Sequence, residues 1–596
     1  MPKTVQQIRD WLDSPNNLKC ILADIGYYSG SEQTMRLSTR GYYDGSNEYI
    51  PIIIGGVSFA ESLSADLTVS ISYGTLELEN TGGTYDNFLT YIWKRRPINL
   101  YIGDVSWPKS DFTLIFSGLV ENLVSSGESN LQLTLVDKLE QLNESITTRT
   151  LKDLVGYTAQ NTQEEKLLPV LFGEVFNLSP ILVDNGTGFD TGPWSASITG
   201  IQTTSGIEIG QSVTATAGAG RLYGGTASAT VASIVDGSTI TYNVPSGAGI
   251  TRPIPGIITN LTINGVVRAA GATGIKVSAV TGTGGPIYKI TDGSLDEIVE
   301  VRDKAAPIVI LNNRSSDGEF TLKYNTFGTI TCTARSRTAT NCTVPNLISY
   351  IVKNYGKNTL TDNDLDLTNI DASRLAYKAG IYVTDRTNIL EVCNQLARSI
   401  NCGLYYSLFT VNSGTGQIST GKLRLIELKV PTSSVGAIEL NDSLMIEGSL
   451  QVTESFSVKP SVKLAYCKNY TQQAQDLALA LHSDHGTVFK DEYWYVESKD
   501  SAVVDIYKDT GIVQEEITHL LVTSEAQAEA DKRLELWKTP RQLITATYLP
   551  HLMFVQLGDV VTLTSNRFGL SSGKPGLVYS ISRDWITGLV EIGVLV

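Results

Sequence analysis

Cysteine is sparse and unpatterned in this chain: six among 596 residues, at Cys20, Cys332, Cys342, Cys393, Cys402 and Cys467, with no Cys-x-x-Cys pair. The gaps of nine residues (Cys393 to Cys402) and ten (Cys332 to Cys342) match no zinc or iron–sulfur pattern, so free buried thiols are expected. Basic residues are also in deficit. Lys and Arg number 46 against 61 Asp and Glu, a net charge of −15, which argues against a protein that grips nucleic acid through a clustered basic face. The one basic cluster, Lys94-Arg95-Arg96, is short, ends at Pro97, and reads first as strand-edge charge and second as a contact for an acidic partner. No run reaches the roughly 18 apolar residues of a membrane helix, and the opening MPKTVQQIRDWLD lacks a signal peptide's apolar core. Synthesis and folding in a cytoplasm, without a membrane span, is the expectation. No nucleophile elbow is expected, and there is no Gly-Lys-Ser/Thr phosphate loop.

What is present favours strands. Hydrophobic residues make up 42% and charged residues 18%, and Thr, Ser, Gly, Val and Ile are abundant while Met numbers only 4. The length suggests about four domains at ~150 residues each, enough to bury several cores without disulfide or metal staples. The fold class expected is α+β, predominantly β: a multidomain chain with two β-barrel-like domains, a β-rich insertion and a few short helices. The boundaries expected are 1–150 for an N-terminal helix and first barrel (strands from about 18) and 151–189 for a connecting segment. Residues 190–345 are read as a Gly/Ser/Thr-rich β insertion, 346–445 as a mixed α/β domain, and 446–596 as a second β-rich domain.

Local signals support this. Thr4 and Gln7 are spaced as a capping box before an apolar face of Val5, Ile8, Trp11 and Leu12, with Pro15 as the stop. The segment YYDGSNEYIPIII reads as a hairpin with Asp-Gly at its tip. DLTVSISYGTLELEN reads as one alternating strand, with Leu67, Val69 and Ile71 on one parity. Helices are predicted at 344–356, at 386–401 with a buried stripe of Ile389, Val392, Leu396 and Ile400, in TQQAQDLALAL, and at 524–540 before Pro540.

Two groups of residues raise the question of chemistry. TLELENTGGTYDNF holds Glu77, Glu79 and Asp86. Glu77 and Glu79 alternate with Leu76 and Leu78, so on a strand they stand about 7 Å apart on one face. That lies inside the range of about 6.5–9.5 Å for an inverting glycosidase, but every i, i+2 pair shares it. A catalytic acid needs burial and a partner across a cleft, so the wet face of a strand is the better reading, with Asp86 as a turn residue. The second group, His482, Asp484 and His485, with a distant His519 or His551, imitates a two-histidine, one-carboxylate iron site, yet loop histidines are favoured. GAGRLYGG leads into a strand rather than a helix, so it is not expected to cradle phosphate. No catalytic, cofactor-binding or metal-ligating residue is expected, and no cofactor.

The non-catalytic segments carry a resemblance. YGTLELENTGGTYDNFLTYIWKRRPINLYIGD…FSGLVENL…LQLTLVDKLEQL resembles the opening domain of tail-tip and baseplate proteins of long-tailed bacteriophages. KLLPVLFGEVFNLSPILVD is similar to their Pro-x-x-Phe-Gly-x-x-x-Asn-x-x-Pro segment. GIYVTDRTNILEVCNQLARSINCGLYY, VKLAYCKNYTQQ and LELWKTPRQLITATYL…VQLGDVVTLTSNRFGL are similar to later parts of the baseplate hub family, in the same order along the chain. The resemblance implies a non-enzymatic virion protein at the tail tip, assembled in the host bacterium's cytoplasm. It would be a homotrimer, with a hexamer as the second choice, and the two barrels per chain would make a pseudo-sixfold ring. The partners implied are the tail tube and distal tail proteins on one face and a fibre or spike on the other, with phage DNA passing without specific binding. Excess carboxylates on the lumen wall would repel that DNA. The competing readings are a hexameric distal tail adaptor and a glycan-binding or wall-degrading tail protein. No lysozyme or peptidase domain is evident, which sets this chain apart from relatives that carry one.

Overall fold

The computed structural model describes residues 3–154, 165–184, 194–216, 222, 229–244, 256–282, 286–322, 326, 328–336, 342–357, 359–412, 414–433, 437–478, 486–508, 513 and 515–596. At its start the capping box forms: Thr4 Oγ1 accepts from the Gln7 N–H at 3.3 Å while Gln7 Oε1 accepts from the Thr4 N–H at 2.9 Å. Helix Val5–Leu12 buries Val5, Ile8 and Leu12. Trp11 instead directs its indole N–H onto Asp104 Oδ2 at 3.0 Å. Seven strands then form one antiparallel sheet in the order Glu32–Ser38, Lys19–Tyr28, Pro97–Asp104, Thr113–Ser125, Asn130–Val136, Thr75–Glu79, Ile53–Gly55. Ile50 draws the two edges together. Its N–H donates to Arg36 O at 3.0 Å and its carbonyl accepts from Ser38 N–H at 2.8 Å, so the sheet curls into a ring with little open edge. The Asp-Gly hairpin is present, with Asp44 Oδ1 accepting from the N–H groups of Ser46 (2.9 Å) and Asn47 (2.7 Å) and Gly45 at φ +95°.

A second curled sheet comes from the C-terminal region, in the order Ile438–Asn441, Val560–Thr564, Lys574–Asp584, Leu589–Leu595, Arg541–Tyr548, Gln451–Phe456. The chain beyond Asn441 returns to it through the bridge Met445↔Tyr548. The alternating stretch DLTVSISYGTLELEN is not one strand. Gly74 breaks it at φ +61°, where an added Cβ would lie 2.8 Å from Ser58 O, and Leu67 sits in a turn at φ +67°. Val69–Ser72 pairs with Ser58–Leu63, and Ser58–Leu63 pairs with Lys574–Asp584 of the C-terminal sheet, whereas Thr75–Glu79 stays in the first ring. Alternation reports which face of a strand is buried, not which sheet the strand joins.

This hairpin welds the two rings. Phe59 stacks on Phe116 of the first ring at 5.3 Å between centroids, and one hydrophobic core runs from Ile98 and Leu133 through to Trp585 and Val594. Within it Arg583, 1% exposed, meets Glu61 Oε2 at 2.7 Å and donates to Met553 O (3.0 Å) and Val555 O (2.6 Å).

Between the two ring-forming segments of the chain comes a mixed body. The strand Val170–Leu178 is flanked by Ile330–Ser336 and Gly380–Val383; helices Val344–Asn354 and Ile389–Ser399 share its core, and helix Thr523–Trp537 packs on the strands Ser461–Tyr466 and Trp494–Lys499. The predicted stripe Ile389, Val392, Leu396 and Ile400 is fully buried. TQQAQDLALAL departs from expectation: its described part, 471–478, is irregular rather than helical. Its backbone is taken by neighbours instead, Gln473 N–H by Phe489 O (2.7 Å) and Ala478 N–H by Lys304 O (2.8 Å). Propensity lost there to tertiary hydrogen bonds. The Gly/Ser/Thr-rich stretch divides in two. Strands from Trp194 to Gly282 build one eight-stranded sheet around its own core of Ile198, Val213, Tyr242 and Leu261. Strands from Ile287 to Ser336 join Val170–Leu178 and Ile181–Asp184 in the mixed body.

The weld and the N-terminal helix can each be tested. Glu61→Ala leaves the Arg583 guanidinium buried and unpaired, so denaturant unfolding should show a loss of about 3–5 kcal/mol, while Glu61→Leu with Arg583→Met should recover much of it. Asp104 is a carboxylate with an acid-side signature: burial opposes its charge, but donors from Ser106, Leu18 and Trp11 outweigh burial and hold its carboxyl at about 2. A carboxyl lowered on folding stabilises above its unfolded value near 4 and loses that contribution as pH falls toward 2. Trp11 fluorescence should therefore report detachment of the N-terminal helix over that window, and Asp104→Asn should abolish the transition.

Candidate functional site

The carboxylates of TLELEN are placed as the alternation predicted. Leu76 and Leu78 are buried, and Glu77 and Glu79 point to solvent. Their cross-strand neighbours are Gln132 and Asn130, so no second acid faces them from the neighbouring strand. Asp86 organises its own loop: it accepts from Asn80 Nδ2 at 2.8 Å, while Asn80 Oδ1 accepts from the Tyr85 N–H at 2.7 Å. The sequence brings three acids near one another, and the fold gives them no shared cleft.

His482, Asp484 and His485 lie outside the described residues, as does GAGRLYGG apart from Leu222, which packs into the core of the 194–282 sheet. His519 is held by its backbone, with its N–H on Ser399 Oγ at 2.9 Å, and burial lowers its imidazole to about 4. His551 Nδ1 lies 2.9 Å from Asp13 Oδ2 at the surface. Among the described residues no group of three or more His, Cys, Asp or Glu is arranged to hold a metal. All six cysteines are buried and outside any disulfide, and burial pushes the Cys467 thiol up to about 11 and the others upward too, away from nucleophilic thiolate. The basic cluster is occupied by its own chain: Lys94 with Glu121 and Arg96 with Glu32, both at 3.0 Å, and Arg95 with Glu144 at 4.0 Å.

A densely bonded packing node centres on the segment from Pro169 to Pro180. Phe172 is fully buried beneath helix Val344–Asn354, edge-on to Tyr355 at 5.1 Å. Gly173 turns at φ +75°, and a Cβ there would lie 1.9 Å from Ala379 O. Asn177 is fully buried at φ +48°, and its amide Nδ2 donates to Asn469 Oδ1 (2.9 Å) and Thr471 O (2.8 Å). Asn469 in turn donates to Phe489 O (2.9 Å) and Asp491 O (3.0 Å). One strand thus anchors positions 292 and 294 further along the chain. The Phe-Gly and Asn spacing was visible in the sequence; the Asn469 end of the network had no signal, because an amide's partner is set by folding.

A second network had no counterpart in the sequence reading. Helix Thr523–Trp537 buries Glu529 and Arg533 beside Ala526 and Ala530. Arg374 Nε meets Glu529 at 2.9 Å, Arg533 meets Glu529 at 2.9 Å and Glu516 at 2.6 Å, and Arg374 also pairs with Glu427. These charges lock helix to sheet. Both networks consist of side chains paired with one another across separate segments of the chain.

No family model matches the chain, and no curated protein matches it. Among solved structures, the 43 kDa tail protein of prophage MuSo2 from Shewanella oneidensis is similar at 11% identity and TM-score 0.34, over 97% of this chain and 98% of that one. A chain of the virion of a native gene transfer agent is similar at 14% identity and TM-score 0.29, over 76% and 90%. A tail protein from Neisseria meningitidis MC58 follows at 12% identity and TM-score 0.24, over 68% and 97%. The structural neighbours are tail and virion proteins.

The packing node makes its own prediction. Asn177→Ala should cost about 1–3 kcal/mol, since the buried amide partner is left unpaired. Limited proteolysis should then open the chain within 467–491 before it attacks the rings. Gly173→Ala should be worse, at least about 2 kcal/mol, because neither the left-handed backbone nor the space admits a Cβ.

Proposed function

We propose that this chain is a structural virion protein, the central baseplate hub of a bacteriophage tail. It acts as a trimeric ring that adapts a hexameric tail tube to a distal fibre or spike and forms part of the DNA channel. The observation that carries the reading is the pair of curled sheets in one chain, fused by the Ser58–Ser72 hairpin and the Glu61–Arg583 pair. Two such units per chain, taken three times, present six strand rings to a sixfold tube, and rigid fusion keeps their spacing constant under load. The order of hub-like segments along the sequence points the same way, and the carboxylate excess suits a wall that DNA must pass without sticking.

Native mass spectrometry of the purified chain tests this. A particle of three chains, each of 64.6 kDa, supports the hub. A particle of six chains transfers the assignment to the distal adaptor ring. Antibody labelling of intact particles should find the protein at the tail tip; labelling of the capsid, or none, rejects both. Glu77→Gln and Glu79→Gln should leave assembly unchanged, and the wild type should release nothing from peptidoglycan.

A further inference from the structure

The two rings repeat one circuit. In the first, the strands Pro97–Asp104, Thr113–Ser125, Asn130–Val136 and Thr75–Glu79 are antiparallel neighbours in that order. In the second, Val560–Thr564, Lys574–Asp584, Leu589–Leu595 and Arg541–Tyr548 repeat it, and the chain visits them in the same sequence. The match reaches single residues. Gly118-Leu119-Val120 and Gly576-Leu577-Val578 are the same tripeptide, each followed by a bulge, at Val120/Asn122 and Val578/Ser580. A Cβ on Gly118 would lie 2.5 Å from Val136 O, and one on Gly576 2.8 Å from Leu595 O. Val136 and Leu595 are in turn the partners of Leu119 and Leu577. Asn122–Ser125 is therefore the counterpart of Ser580–Arg583.

The counterparts differ in what they carry. The edge of Ser580–Asp584, beyond the reach of Val560–Thr564, is filled by Ser58–Leu63 from the other ring. The same edge of Asn122–Ser125, beyond the reach of Pro97–Asp104, pairs with no strand among the described residues, and Val124 is 43% exposed. The donor strand has a counterpart too. Thr75 and Thr545 are equivalent, since their partners Thr134 and Gly593 lie opposite Asn122 and Ser580. Ala60 and Glu61 pair with Ser72 and Ile71, just before Thr75, as Ser455 and Phe456 pair with Gln542 and Arg541, just before Thr545. Gln451–Phe456 thus stands where Ser58–Leu63 stands. It ends its sheet, with Gln451, Thr453, Glu454 and Ser455 exposed. One joint of this type is made within the chain, and a second donor and a second acceptor are left open, each an edge of unpaired backbone groups.

We infer that Gln451–Phe456 of one copy adds antiparallel to the open edge of Asn122–Ser125 in a second copy of this chain. The inference rests on the ring proposed above and names the contact that closes it. The register is that of the internal joint, where Ser582 faces Ala60 and Ile581 faces Glu61. Val124 therefore faces Ser455, and Leu123 faces Phe456, so that two partly buried apolar side chains meet where the internal joint sets Glu61. Backbone bonds supply the adhesion, and because the two surfaces differ, successive copies add in one direction.

Two variants of the full chain, Val124→Cys and Ser455→Cys, test the contact. Both positions are exposed, the native cysteines are buried, and facing residues of an antiparallel pair lie within disulfide reach. Mixed and oxidised with diamide, the two variants should give a covalent heterodimer as the main product on a non-reducing denaturing gel. Either variant alone should give no more dimer than the wild type. Should one of them fail to fold, as judged by circular dichroism, Ser125→Cys with Glu454→Cys, the next pair in the same register, decides in its place. Absence of the heterodimer overturns the inference, as does an equal yield of dimer from one variant alone. Native mass spectrometry of the same samples separates the two readings. A three-chain particle without the disulfide rejects this contact and leaves the hub standing, whereas the disulfide within a six-chain particle keeps the contact and rejects the trimer.

Discussion

The pairing of Ser58–Leu63 with Lys574–Asp584 is the constraint on which the rest of the molecule depends. It joins a strand near the start of the chain to one near its end and converts two curled sheets into one body with one core. Glu61 and Arg583 sit at its centre, both almost wholly buried. A buried ion pair of this kind adds little net stability over a well-packed apolar pair, because desolvation offsets the attraction. Its value lies in register. A slip of one residue in Ser58–Leu63 would turn Glu61 to the wrong face and leave Arg583 buried without its partner.

Beyond that weld the mixed body has a large apolar core of its own, and polar networks tie its elements together as well. Asn177 and Asn469 tie the strand Val170–Leu178 to segments near its far partners, and Arg374, Glu529, Arg533 and Glu516 lock helix Thr523–Trp537 against the sheet. Each network is directional, so each specifies one arrangement where packing alone would tolerate several. The 194–282 sheet is different in kind. It encloses its own core of Ile198, Val213, Tyr242 and Leu261, and so depends less on the rest of the chain for its stability.

The helices were legible because their information is local. Thr4 and Gln7 form their box, and Ile389, Val392, Leu396 and Ile400 reach the core at 3.6-residue spacing. TQQAQDLALAL shows the limit of that logic: composition favoured a helix, and backbone bonds to Phe489 and Lys304 prevailed. For the candidate site, Glu77 and Glu79 were readable as a wet strand face, because an alternating pattern fixes facing whatever the topology.

By itself the sequence determined the class of the protein: strand-rich, acidic, and with side chains alternating so that each strand's buried face was set in advance. Only the tertiary structure decided that Val69–Ser72 and Thr75–Glu79, adjacent in the chain, belong to different sheets. It alone decided, too, that Arg583 finds its counter-charge 522 positions away. The reason is physical. Facing follows from the two-residue period of a strand, which is written in neighbouring residues, whereas pairing is chosen by the whole folded chain competing for each open edge.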